Sequence, residues 1–228
     1  MIVDEGSNIG LTNPVVDRIT VWSYALVWIL LSTIILEKTT VMVLSFGFLS
    51  LILMRIRFLT LEKNGLTVST KALTKDQLKK IFLFTFSAIL VEAAMLAGLM
   101  ALNSPNSGGS ANTRLVISEL SKSPEIALYV VIIAPCLEEL VFRQSMFNGF
   151  MRGLDRTMKG SQRRIKQLLA ALLVALVFAA IHGDSSSLMY VLMSLYLQAI
   201  YLREKDIRLN MVVHGALNAF SLAIIFLV

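Results

Sequence analysis

The chain has 228 residues, of which 56% are hydrophobic and only 16% charged, with a mean hydropathy of +0.74. Soluble globular domains run nearer about 45–50% apolar and about 25% charged, so this much apolar surface must face lipid. The same balance excludes disorder, the single cysteine, Cys136, excludes a disulfide scaffold, and a net charge of +6 takes its meaning from where the 21 Lys and Arg lie.

A bilayer core about 30 Å thick takes about 20 residues of helix, and seven apolar runs are bounded by charges. The first, 19–36, lies between Arg18 and Glu37 and contains Trp22 and Trp28. The second, 39–54, is closed by Arg55 and Arg57 and forms a tight hairpin with the first. The others cover 81–102, 126–151, 167–182, 188–202 and 209–228. The expected fold is all-α, a polytopic transmembrane bundle of about seven helices with a cavity inside the membrane. The stretch Asn103 to Ser123, rich in Ser, Asn and Gly, reads as a linker. With no internal repeat, residues 1–228 read as one membrane domain. The first 18 residues carry Asp4, Glu5 and Asp17 and lack the pattern of a cleavable signal peptide.

The basic residues support this arrangement. With a cytoplasmic N-terminus, 17 of the 21 fall on cytoplasmic segments: Arg18, seven within 55–80, six within 152–166 and three within 203–208. Lys38, Arg114 and Lys122 fall outside, and Arg143 sits within the fourth run. That asymmetry is the positive-inside pattern. The charge is therefore a topology signal that also draws the loops to anionic lipid, and no nucleic-acid partner is needed to explain it. The expected location is the cell membrane.

Six ionisable residues lie inside the apolar runs: Glu92, Glu138, Glu139, Arg143, His182 and His214. A charge at the centre of a bilayer costs about 2.5–3.5 kcal/mol on insertion scales, so such residues face a cavity or one another and mark function by default. At helical spacing Glu139 and Arg143 lie about 40° apart, whereas Glu138 is about 140° from Arg143. Glu139 can therefore pair with Arg143 along its own helix, which by itself is as well explained by a structural salt bridge. Glu138 points elsewhere and is left for acid–base work. His182 follows Phe178 by one turn, and Asn210, His214, Asn218 and Ser221 form a polar stripe on the last helix, where Gly215 admits a close backbone neighbour. A lone intramembrane histidine is more often an interhelical hydrogen bond, but two carboxylates, two histidines and an amide on three helices favour chemistry.

Two schemes stay open. Glu138, His182 and His214 with a water match the donor types of a catalytic zinc, although their spacing is not that of H-E-x-x-H. Alternatively, without metal, Glu138 and His182 activate a water while His214 and Asn218 donate to the oxyanion of a peptide carbonyl. Cys136 lies near the carboxylates, but no histidine is tied to it by spacing.

The motifs E-E-x-x-x-R (Glu138, Glu139, Arg143), F-x-x-x-H (Phe178, His182) and H-x-x-x-N (His214, Asn218), in this order on three hydrophobic helices, resemble the CPBP family of intramembrane proteases. That family includes the type II CAAX prenyl endopeptidases and the bacteriocin-processing and self-immunity (Abi) proteins, and the resemblance covers residues 80–228. It implies a membrane endopeptidase acting on a membrane-associated peptide or protein. Glu138 would activate water with His182 as its partner, Glu139 and Arg143 would support them, and His214 with Asn218 would stabilise the oxyanion or help to bind a metal. The family has been described as both metal-dependent and metal-independent. The compact chain suits a prokaryotic role in peptide maturation or bacteriocin immunity; a non-enzymatic partner of a sensor kinase or other membrane protein is the second reading, and a transporter the third. Departures from the pattern are G-D-S-S-S after His182, the charged approach to His214, and Glu92, which either lines the cavity or pairs with Arg143.

One difficulty is geometric. At 1.5 Å per residue His182 lies about 22 Å along the fifth run and His214 only about 8 Å along the seventh. They share a site only if the short sixth run, the turn after His182 and helix tilt bring them to one depth.

Overall fold

The computed structural model describes residues 13–34, 47, 72–101, 111–160, 162–183 and 186–227. Among these there are seven helices and no strand: α1 (Pro14–Ile34), α2 (Lys75–Ala101), α3 (Ala111–Lys122), α4 (126–157), α5 (Arg163–His182), α6 (Ser187–Glu204) and α7 (Ile207–Leu227). The second expected run, 39–54, lies outside the described residues apart from Gly47. The all-α membrane bundle is borne out. By length and composition α5 and the segment Ile207–Ile224 of α7 can cross a bilayer, and large apolar side chains stand outward, with Trp22, Phe82 and Leu168 about 70% exposed.

Local chemistry sets the helix starts. Asn13 accepts the Val15 N–H at 2.9 Å and Pro14 follows at the first helical position, where its missing N–H costs nothing. Thr74 and Gln77 cap α2 reciprocally: Thr74 Oγ1 accepts the Gln77 N–H and Gln77 Oε1 accepts the Thr74 N–H, a capping box. Asp206 caps α7 by accepting the Arg208 N–H at 3.0 Å. α5 ends on Gly183 at φ 61°, and α6 on Lys205 at φ 56°; the left-handed residue turns the chain.

Two sequence expectations change. Residues 111–122, read as part of a linker, form α3. Its Leu120 and Val116 pack with Ile126 of α4 and Leu222 of α7, so a polar stretch becomes helical through a few tertiary contacts. The fourth run is longer, reaching Thr157, and is not uniformly α-helical. It has π-helical (i→i+5) segments over Tyr129–Ile133 and Glu139–Met146. The remaining helices begin one to six residues earlier than the apolar runs, taking in first turns that carry charged or polar residues such as Asp17, Asp76, Arg163 and Ser187.

α4 is the central element, packed by α1, α5 and α7. One apolar core joins α4 and α5 through Phe142, Phe147, Val174 and Phe178, with Tyr24 of α1 against it. A second joins α2, α6 and α7 through Ile81, Leu197 and Val213. Ion pairs tie the charged ends. Asp17 of α1 meets Arg152 of α4 and Lys166 of α5 meets Asp155 of α4, both at 2.9 Å. Lys80 of α2 meets Glu204 of α6 at 2.9 Å. Since α5 and α6 run antiparallel, these pairs gather the basic segments of α2, α4, α5 and the α6–α7 turn at one end of the bundle.

Candidate active site

Between the two apolar cores lies a buried polar network. Glu139 and Arg143 of α4 are both fully buried, and Arg143 Nε donates to Glu139 Oε2 at 3.2 Å. Arg143 Nη1 donates to Ser194 Oγ of α6 at 2.7 Å, and its guanidinium lies 5.5 Å from the centre of the Phe178 ring, a cation–π geometry. From α7, Asn210 Nδ2 donates to Glu139 Oε2 at 3.0 Å and to the Leu197 carbonyl at 2.7 Å. His214 Nδ1 meets Glu139 Oε1 at 2.9 Å. Glu139 thus accepts from three side chains, as an ionised carboxylate does, and anchors α4 to α7.

This network orients His214. With Nδ1–H given to Glu139, Nε2 is the nitrogen left for other partners, the logic by which one hydrogen bond selects the working nitrogen of an imidazole. Glu138 Oε2 stands 3.7 Å from that Nε2. The gap is too long for a direct hydrogen bond and leaves both groups open to a third. Glu138 keeps 15% of its side chain exposed, against none for Glu139. The adjacent carboxylates therefore differ in kind: one is locked in the scaffold and the other is open.

His182, at the end of α5, is pinned differently. Its Nδ1 lies 2.8 Å from the Phe178 carbonyl, which can only accept, so Nδ1 carries the proton and Nε2 is again open. The ring stacks on Tyr190 of α6 at 4.1 Å. Phe178 joins the two histidines, its centroid 4.5 Å from His182 and 6.5 Å from His214. This aromatic hub brings together imidazoles placed at very different positions along α5 and α7.

The pairing of Glu138 with His182, expected from the motifs, is not the contact observed: the imidazole beside Glu138 is that of His214. Asn218 donates from Nδ2 to the Val130 carbonyl of α4 at 2.9 Å. Glu92 does not pair with Arg143. It lies between α2 and α6 in an apolar groove lined by Val91, Met95, Met193 and Tyr196. Cys136 is half-buried beside Leu140 and Tyr201. Among the described residues no three His, Cys, Asp or Glu side chains stand close enough to share one ion. Glu138, His182 and His214 therefore do not form a ligand set in this geometry, although both histidines present a nitrogen of the right kind. Sequence reasoning missed Ser194. Its signal was there: Ser194 and Gln198, both fully buried, are spaced by four on an otherwise apolar helix.

An all-α bundle that buries a glutamate–arginine pair, and hangs an imidazole between that pair and a second glutamate, defines a membrane protein with a polar centre poised for acid–base work. Comparison with known proteins adds a match over part of the chain. Residues 121–220 match the model of the Rce1-like family, the type II CAAX prenyl endopeptidases, so the resemblance seen in the three motifs is borne out over the segment that carries them. Among curated proteins the chain is 31% identical over 142 residues to the UPF0177 protein YvdC of Lactococcus lactis subsp. lactis (strain IL1403), covering 60% of this chain and 49% of the relative. The chain thus spans about half the length of that relative. No solved structure matches.

Proposed function

We propose that the protein is an intramembrane endopeptidase that hydrolyses a peptide bond of a small membrane-associated peptide or protein through a water activated by Glu138. The observation that carries this reading is the setting of His214, held at Nδ1 by the buried Glu139 at 2.9 Å and facing the open Glu138 at Nε2. In that arrangement Glu138 takes the proton of the attacking water. His182, pinned through Nδ1, offers Nε2 to orient that water. His214 presents Nε2 to the reacting atoms; the proton that Glu138 takes from the water passes to this nitrogen, and His214, protonated there, steadies the oxyanion and gives that proton to the departing amine. Arg143 and Glu139 touch no substrate and hold His214 in place.

Among the described residues the three donors do not converge on one point, and the steps proposed here are carried by the side chains alone. The Rce1-like segment supports a peptidase and a peptide substrate. The site lies inside a lipid-facing bundle, which favours a substrate delivered from the membrane. We place the protein in the cell membrane with its N-terminus and basic end in the cytoplasm, on the strength of the charge asymmetry. Peptide maturation or immunity to a bacteriocin is the proposed setting. The test is reconstitution in liposomes with a pool of hydrophobic peptides, comparing the wild type with Glu138→Ala and His182→Ala. New termini are expected with the wild type alone. Equal cleavage by all three proteins would overturn the roles given to Glu138 and His182, whereas no new termini from any of them, with a biological effect that survives both substitutions, would favour a non-enzymatic membrane partner.

A further inference from the structure

Pro135 lies within the continuous helix of α4, three residues before Glu138, and has no N–H to give. Just before it the backbone runs in i→i+5 register: the Ala134 N–H bonds to the Tyr129 carbonyl. In that register residue 135 would serve the Val130 carbonyl, and in α-helical register the Val131 carbonyl. Pro135 can serve neither. A carbonyl left bare inside a membrane bundle must find another donor.

α7 meets α4 at these two carbonyls. Asn218 Nδ2 donates to Val130 O at 2.9 Å. Three residues earlier on α7, Gly215 lies so close to Val131 that a Cβ there would stand 2.5 Å from its oxygen. Gly215 and Asn218 share one face of α7, and His214 is the residue next to Gly215. The contact therefore lies immediately beside the pair whose separation matters, Glu138 and His214.

We infer that Asn218 is a positioning residue: its side-chain amide replaces the backbone donor that Pro135 lacks, fastening α7 to the π-helical part of α4 and so setting the distance between Glu138 and His214. Its contribution to turnover passes through Val130. The catalytic consequence rests on the peptidase reading, whereas the coupling between Pro135 and Asn218 does not.

A double-mutant cycle tests this. Asn218→Ala, Pro135→Ala and the double variant are purified in detergent, and thermal unfolding is followed alongside peptide turnover, with kcat and KM measured separately. In the wild-type background Asn218→Ala is expected to lower both the unfolding midpoint and kcat, by tenfold or more for kcat, with KM within about twofold. Where Pro135→Ala has restored the N–H at position 135, the same substitution is expected to cost less than a third of each effect. Equal losses of kcat and midpoint in both backgrounds would overturn the inference and point to a direct role at the oxyanion. Should Asn218→Ala alone fail to yield monodisperse protein, recovery of folded protein on adding Pro135→Ala supports the inference and its absence contradicts it. Coupled unfolding midpoints in a protein that cleaves nothing would uphold the brace and overturn the peptidase.

Discussion

Gly215→Ala probes how tightly the site depends on the approach of α7 to α4. The added Cβ would lie 2.5 Å from the Val131 oxygen, about 0.9 Å inside the 3.4 Å at which ordinary contact begins. The obstacle is backbone, so no side-chain rotation relieves it and one helix must move. That shift is about a quarter of the 3.7 Å between His214 Nε2 and Glu138 Oε2, and His214 adjoins the substituted residue. Overpacking of this kind costs about 1–3 kcal/mol, and displacing a catalytic group by about 1 Å can cost about 100-fold in rate. Peptide turnover in liposomes, with unfolding in detergent measured on the same preparation, separates the two effects. The expected result is a moderate loss of stability and a fall in kcat of about two orders of magnitude. A kcat within twofold of wild type would refute the idea that this contact sets the catalytic geometry.

Arg143→Met should destabilise by about 3–5 kcal/mol in detergent unfolding, because it leaves the buried Glu139 without its counter-charge; adding Glu139→Gln should recover much of that loss. At the charged end, Asp206 is partly buried, which alone would raise its pKa, but hydrogen bonds from the Arg208 side chain and backbone and from Gln77 hold its carboxyl below the usual range. A lowered folded pKa contributes stability above the unfolded value of about 3.9, and that stability is lost as pH falls through the folded value. Asp206→Asn keeps the cap but removes the charge, so unfolding midpoints should lose part of their acid dependence below about pH 4 and fall modestly near neutrality. Turnover should survive a chelator; loss that returns on adding zinc would reinstate Glu138, His182 and His214 as ligands.

Much of the fold is written in short-range chemistry. The apolar runs other than 39–54, which lies outside the described residues apart from Gly47, the caps at Asn13, Thr74 and Asp206, and the one-turn spacing of Glu139 and Arg143 can each be read from neighbouring residues, and each corresponds to an observed helix, cap or ion pair. What escapes the sequence depends on packing. Residues 111–122 have poor helical composition and form α3 only because Val116 and Leu120 find Ile126 and Leu222. The π-helical segments of α4 change which side chains face α7, and Pro135 is the one local sign of them. The partner of Glu138 depends on the depth at which α5 and α7 cross, which no spacing within one helix encodes. Ser194 and Gln198 were legible in principle as a polar i, i+4 pair in α6, since polar groups in such a helix turn inward.

The central claim is that a water activated by Glu138 attacks a peptide bond inside the membrane. It is tested most directly by cleavage in water enriched in oxygen-18. Wild-type protein and Glu138→Gln, reconstituted with hydrophobic peptides, are compared by mass spectrometry of the new C-termini. One heavy oxygen per new carboxyl group is expected with the wild type, and no new termini with Glu138→Gln. Labelled termini at equal rates from both proteins would contradict it.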